Sequence, residues 1–294
     1  MNFADCLMER VTRVGNPVLV GLDPRVESLP PAVAPTDSDP QSVADSYEQF
    51  CCGVVDVVAP LVSSVKPQAA FFEQVGPEGG AALARVIEYA RSKDLLVILD
   101  GKRNDIGSTA TAYADGYLGA ESAWRADALT VSPYLGEDSL VPFFDTAHQR
   151  DAGIFVLVKT SNPGGGMFQD RKSDGEFLFE AVADFVELWA QKTKGECGYG
   201  AIGAVAGATY PEQLAELRQR MPHTMLLVPG FGAQGGRASD VQAAMDSAGR
   251  GAIVNSSRGI IFAHSRPEFE RFGNNWQAAV EAATLEMAQQ LTPA

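Results

Sequence analysis

The 294-residue chain is 46% apolar and 20% charged, with a formal charge of -14. That composition fills a large core and fits either two small domains or one larger α/β barrel. No basic run exceeds two residues, which excludes the coherent cationic face of a nucleic-acid binder but not a local pocket for a small phosphate.

The N-terminal segment lacks the basic start, apolar core and small-residue cleavage site of a secretory leader, and no uncharged stretch reaches membrane-span length. Cys6, Cys51, Cys52 and Cys197 form no C-x-x-C pair. These features predict a cytoplasmic protein with free thiols and neither zinc nor a redox dithiol. The first apolar run, PVLVGLD (17–23), leads into a polar segment, with Asp37 to Asp45 read as loop and a helix from about Ser42. SSVKPQAAFF (63–72) reads as a second strand, followed by a helix from Gly79 to Lys93. LLVILDGK (95–102) is the third, with a helix starting near Asp105. DALTVSPY (127–134) and GIFVLVKTSNPG (153–164) supply the fourth and fifth strands, each followed by an amphipathic helical stretch. GAIGAVAGAT (200–209) precedes a helix that Pro211 opens, since proline suits a first helical turn. TMLLVPGFGAQGG (224–236) is a seventh strand and glycine loop, GAIVNSSRGIIF (251–262) the eighth, and a helical stretch closes the chain.

Eight short, continuously apolar strands alternating with helices predict an α/β fold, a (β/α)8 TIM barrel, over residues 1–294 as one domain without a linker. The main rival is an open doubly wound sheet. Against it, the glycine-rich GFGAQGG comes late, whereas a dinucleotide fingerprint follows the first strand.

Chemistry in such a barrel sits where strands end. Those ends carry Asp23, Lys66, Asp100 with Lys102, Ser161 with Asn162, Gln234 and Arg258. Asp23 also fits a plain turn acceptor, and Asn162 fits a residue that only shapes its turn. Lys66 stands between Val65 and Pro67 in an apolar strand and needs an anionic partner. Asp100 and Lys102, two apart on a strand, lean to the same side, and Asp105 follows three residues later. Two carboxylates near one pocket repel unless a cation stands between them. Lys66, Asp100, Lys102 and Asp105 therefore read as electrostatics stored around a reacting centre. Arg103 points the other way and is assigned to structure.

The glycine loop after the seventh strand and Arg258 after the eighth form a phosphate site of the kind such barrels use. His148, placed mid-helix, His223 and His264 stand away from the strand ends. No histidine or carboxylate cluster suggests a metal, and no histidine-assisted serine suggests hydrolysis. The aromatics of FVELW and VPFF read as helix faces packed on the barrel.

Taken together, VGLDPR, SVKPQ, DGKRNDI, VKTSNPG, PGFGAQGG and NSSRGI resemble, in order across residues 20–260, the orotidine 5'-phosphate decarboxylase family. The D-x-K-R-x-D-I stretch resembles its longer bacterial form (type 2), which adds an N-terminal extension and a C-terminal helix. The resemblance implies decarboxylation of orotidine 5'-monophosphate to uridine 5'-monophosphate, the last step of de novo UMP synthesis, with no metal or cofactor. By matching motif, Asp23 binds a ribose hydroxyl and Lys66 approaches Asp100 and the ribose. Asp100 faces the substrate carboxylate and Lys102 is the proton donor. Asp105 reaches across a homodimer interface into the neighbour's site, with Ile106 and Thr109 lining the same contribution. Ser161 meets the pyrimidine region, and Gln234 and Arg258 hold the phosphate.

The chemistry suits those groups: an ammonium aimed at C6 stabilises the carbanion left by CO2 and then protonates it. Two alternatives remain. One is a Mg2+-dependent sugar-phosphate decarboxylase or aldolase of the same superfamily, such as 3-keto-gulonate-phosphate decarboxylase or hexulose-phosphate synthase. Gly107 resembles the D-x-G ending of these enzymes, but Lys66 stands near the place of their acidic metal ligand. The other is a non-catalytic barrel that binds a sugar phosphate.

Overall fold

In the computed structural model, which describes residues 2–208, 211–230 and 238–292, the apolar runs form eight strands. They are β1 (Val18–Leu22), β2 (Ser64–Pro67), β3 (Leu96–Arg103), β4 (Ala128–Val131), β5 (Gly153–Lys159), β6 (Gly200–Ala206), β7 (Thr224–Val228) and β8 (Ala252–Ser256). β1 pairs in parallel with both β2 and β8, so the sheet closes in chain order. Closure removes the open-sheet alternative.

The helices are α1 (Phe3–Val14), α2 (Pro40–Val58), α3 (Ala69–Glu73), α4 (Pro77–Ser92), α5 (Gly107–Tyr117) and α6 (Glu137–Gln149). After them come α7 (Gly166–Gln169), α8 (Leu178–Lys192), α9 (Pro211–Arg220), α10 (Ala238–Gln242), α11 (Arg258–Ile261) and α12 (Trp276–Leu291). A short hairpin, Lys172–Ser173 against Glu176–Phe177, lies between α7 and α8.

Strand alternation sorts the side chains into two cores. Val18, Val20, Leu22, Val97 and Leu99 pack under the helices. Leu19, Ile98, Ala128, Phe155, Leu227 and Ile253 pack together inside the barrel. Followed upward, that inner series becomes polar: Leu19 leads to Asp23, Ile98 to Asp100, Ala128 to Thr130 and Ile253 to Asn255. The alternation that builds the core therefore also delivers the polar groups to one end.

The other end is shut by α1, whose Phe3, Ala4, Leu7 and Met8 join the inner core. Phe3 meets Phe155 edge-on with ring centroids 6.1 Å apart. Gly153 is required beside it, because a Cβ there would lie 2.2 Å from the Phe3 ring. Asp5 accepts the Cys197 amide at 2.8 Å, tying α1 to the turn before β6.

Local signals correct several boundaries. Residues 40–45 are helix rather than loop, because Asp39 caps the Gln41 amide at 3.2 Å and Pro40 occupies the first turn of α2. The second strand stops at Pro67, where its ladder with β1 ends at the Leu22–Pro67 pairing, and the following Ala-Ala-Phe-Phe coils into α3. α5 starts at Gly107, two residues past Asp105, since Ile106 remains extended. His148 lies in the last turn of α6, not its middle. Pro211 is helical, in the described part of α9. Phe143 and Phe144 are fully buried, and Phe144 packs on Trp189 at 5.1 Å, as read for the aromatic helix faces.

Gly79 backs α4 onto α3, and a Cβ there would stand 2.0 Å from the Phe72 carbonyl oxygen. Gly79→Ala is expected to cost about 1–3 kcal/mol and lower the thermal midpoint by a few degrees. An unchanged midpoint by circular dichroism would mean that α3 moves aside freely.

Candidate active site

β3 carries the central acid and its lysine on an irregular edge. Leu99 pairs with Leu129 and Arg103 with Val131, so four steps on β3 oppose two on β4. The slack forms a bulge in which Lys102 takes φ 45°, a left-handed value that costs a non-glycine residue roughly 1–2 kcal/mol. Lys102 Nζ then lies 2.5 Å from Asp100 Oδ1. The side chains meet as the sequence suggested, although a bulge rather than plain alternation brings them together.

Asp100 is held on both oxygens. Oδ1 receives Lys102 Nζ and the Thr130 hydroxyl, the latter at 3.0 Å. Oδ2 receives Lys66 Nζ at 2.6 Å and Gln68 Nε2 at 3.1 Å. Asp100 is 7% exposed and Lys66 4%. Burial alone would raise the Asp100 carboxyl, but the ammoniums of Lys66 and Lys102 override it and hold it well below the carboxylate range. For Lys66, burial pulls downward, while the Asp100 and Asp23 carboxylates outweigh it and keep the ammonium charged. Lys102 differs, since its side chain is 48% exposed and faces the cleft.

The cleft above this group has a volume of about 740 Å³. Asp23, Lys66, Asp100, Lys102, Ser161 and Arg258 all line it, from the ends or following turns of five strands. Asp23 Oδ1 and Asn255 Oδ1 are buried there without a hydrogen-bond partner among the described residues, so they can accept bonds from ligand hydroxyl or N–H groups. Arg258 is exposed at the rim. Gln234 lies outside the described residues, while Pro229 and Gly230 just before it border the cleft.

Asp105, Ile106 and Thr109 do not line this chain's cleft. The Asp105 carboxylate accepts the Ile106 amide at 2.8 Å, Ile106 is 56% exposed and Thr109 is exposed. Arg103 is anchored away from the cleft by Glu73, the Gly101 carbonyl at 2.9 Å and the Tyr117 hydroxyl at 3.1 Å.

The segment after β5 covers one side of the mouth. Gln169 accepts the Thr160 amide at 3.0 Å and donates to its hydroxyl at 2.8 Å, while Lys159 pairs with Asp170. Thr160 also donates to Asn162 Oδ1 at 2.7 Å, which fits the turn-shaping reading of Asn162. Phe168, whose ring lies 6.2 Å from that of Tyr134, borders the cleft.

Sequence reasoning passed over Gln68, Thr130, Asn255 and Phe168. Thr130 left a visible signal, a hydroxyl interrupting the apolar DALTV run. His223 sits at the closed end, with Nδ1 2.7 Å from Glu187 Oε1. Burial pushes the Cys52 and Cys197 thiols up to about 11 and the Cys51 thiol well above its usual value, so none is a ready nucleophile. Among the described residues no three metal-ligating side chains converge, and no helix is long and apolar enough to cross a membrane.

Residues 16–270 match the model of the orotidine 5'-phosphate decarboxylase / HUMPS family. A Rhodopirellula baltica protein named orotidine 5'-phosphate decarboxylase is 58% identical over 299 positions, covering 99% of both chains. Its namesake from Caldicellulosiruptor bescii is 40% identical over 276 positions and 90% of both chains. The solved structure of Leishmania donovani OMP decarboxylase superposes with a TM-score of 0.77 at 34% identity, covering 99% of this chain and 97% of that one. With a family model spanning most of its length, relatives of this identity and a closed barrel whose polar end gathers Lys66, Asp100 and Lys102, the chain belongs to the orotidine 5'-phosphate decarboxylase / HUMPS family.

Proposed function

We propose that the protein converts orotidine 5'-monophosphate and a proton to uridine 5'-monophosphate and CO2, without metal or cofactor, and that it is of the longer bacterial form. The observation that carries this reading is the charge-clamped Asp100 between Lys66 and Lys102 on the cleft floor. In the reaction the bond from C6 to the carboxylate breaks and its electron pair stays on C6. Lys102, whose ammonium faces the cleft, stabilises that charge and delivers the proton. Asp100, kept ionised by its neighbours, faces the substrate carboxylate and disfavours the ground state. Lys66 holds Asp100 and approaches the ribose, and Asp23 accepts from a ribose hydroxyl. Ser161 meets the pyrimidine, and Arg258 with Gln234 grips the phosphate, fixing the ring in register by remote binding.

Adding the protein to orotidine 5'-monophosphate should abolish its orotate-like absorbance, and EDTA should leave the rate unchanged. No absorbance change would sink the assignment. Loss with EDTA that Mg2+ restores would favour the metal-dependent sugar-phosphate branch instead.

Asp105, Ile106 and Thr109 are assigned to a second copy's cleft in a homodimer. Their position outside this chain's cleft, with Ile106 projecting into solvent, supports that assignment. Mixing inactive Asp105→Ala and Lys102→Ala proteins should then restore about a quarter of the sites at full exchange, because one mixed site carries both native groups. Absence of recovery despite demonstrated subunit exchange would refute sharing.

A further inference from the structure

Thr130 faces the barrel interior one strand away from Lys102 and is 2% exposed. Its hydroxyl has one proton and two lone pairs, and both kinds of capacity are used. The proton goes to Asp100 Oδ1 at 3.0 Å, and a lone pair accepts the Lys102 amide at 2.9 Å. That amide lies within the bulge, where the skipped β3–β4 register falls between the Leu99 and Arg103 pairings. Valine has nearly the volume of threonine, so packing alone does not call for a hydroxyl here.

The hydroxyl therefore joins two things that no other described contact joins: the carboxylate of Asp100 and the main chain of Lys102. Lys102 stands at a backbone angle that an L-residue leaves unless its surroundings hold it. With the hydroxyl removed, the amide loses its acceptor and the bulge gains freedom to relax toward ordinary extended backbone. The root of the lysine side chain shifts with it, and Asp100 loses one of the donors that fix its plane.

We propose that Thr130 is a positioning residue, whose hydroxyl locks the Lys102 backbone to the Asp100 carboxylate and so sets the line along which the ammonium approaches the reacting carbon. This rests on the reading of Lys102 as proton donor given above. Displacements of about 1 Å around a reacting pair cost on the order of 100-fold in rate.

The test compares Thr130→Val, which removes donor and acceptor at nearly constant shape, with Thr130→Ser, which keeps both. Turnover of orotidine 5'-monophosphate and the thermal midpoint are measured for each. Thr130→Val should lower kcat by about 10- to 100-fold with KM within about threefold, because ribose and phosphate contacts lie elsewhere. Thr130→Ser should recover kcat to within about threefold of the native protein, a rescue that volume alone would not give. The proposal is overturned if Thr130→Val keeps kcat within about threefold of native, if only KM changes, or if Thr130→Ser is as slow as Thr130→Val. Should Thr130→Val not fold, Thr130→Ala removes the same two bonds and is judged by the same limits. A native protein that does not turn over the nucleotide would instead refute the decarboxylase reading.

Discussion

Lys102→Ala is expected to lower kcat by about 10⁴-fold or more, because one truncation removes both the cation facing the developing carbanion and the proton that quenches it. The side chain is 48% exposed, so the fold should survive and product-nucleotide binding should remain measurable. Lys102→Arg should not rescue it, since a guanidinium keeps the charge but holds its protons too tightly and is the wrong shape for the bulge. Single-turnover kinetics separates the outcomes: a variant within tenfold of native kcat would remove Lys102 from the chemistry. A weak-binding variant with native kcat would make it a binding residue only.

The second large effect concerns stability. Asp100→Ala leaves Lys66, 4% exposed, without its closest counter-charge, and is expected to cost about 3–5 kcal/mol. Lys66→Met combined with Asp100→Leu should recover about half of that loss, because the pair's desolvation disappears with its attraction. Urea denaturation of the native, Asp100→Ala and double-variant proteins measures it, and a double variant no more stable than Asp100→Ala would show that the two groups do not act as a unit.

The pH dependence carries a defined sign. Asp100 is depressed, so its contribution is complete above the unfolded-chain value of about 4 and fades as pH falls further toward the folded value. Lys66 is raised, so its contribution is complete below about 10.4 and is lost as pH climbs through the folded value. The two shifts describe one attraction and are not summed. The stability gap between native protein and Asp100→Ala should hence be flat between about pH 5 and 9 and narrow below about pH 4. A gap that grew in acid would contradict the ion-pair account.

The barrel was legible in the sequence because its strands are buried on both faces and read as uninterrupted apolar runs bounded by polar residues. Lys66, Asp100 and Lys102 were legible for a related reason: charges at the ends of such runs have nowhere to go but the cleft. The bulge was not, since nothing in LDGKR announces a left-handed lysine. Thr130 was missed because threonine is an ordinary strand residue, and its role depends on the neighbouring strand's slipped register. The α2 start was misread through composition, where Asp39 and Pro40 look like loop and are a helix opening. Asp105, Ile106 and Thr109 stand one turn beyond the strand end and do not line their own cleft, so position along the chain alone assigns them no contact there.

The α1 plug makes the barrel a blind alley. Beneath Asp100 the interior is filled by Ile98, Phe155 and Leu227, with Phe3 set edge-on against Phe155 below. Gas set free on the cleft floor has no back door among the described residues and must leave by the mouth through which the nucleotide arrived. Departure of CO2 is thus tied to whatever shares that doorway, the segment around Phe168 and the rim at Arg258. Traffic at the mouth, rather than at the reacting carbon, is where bulk solvent viscosity would be felt.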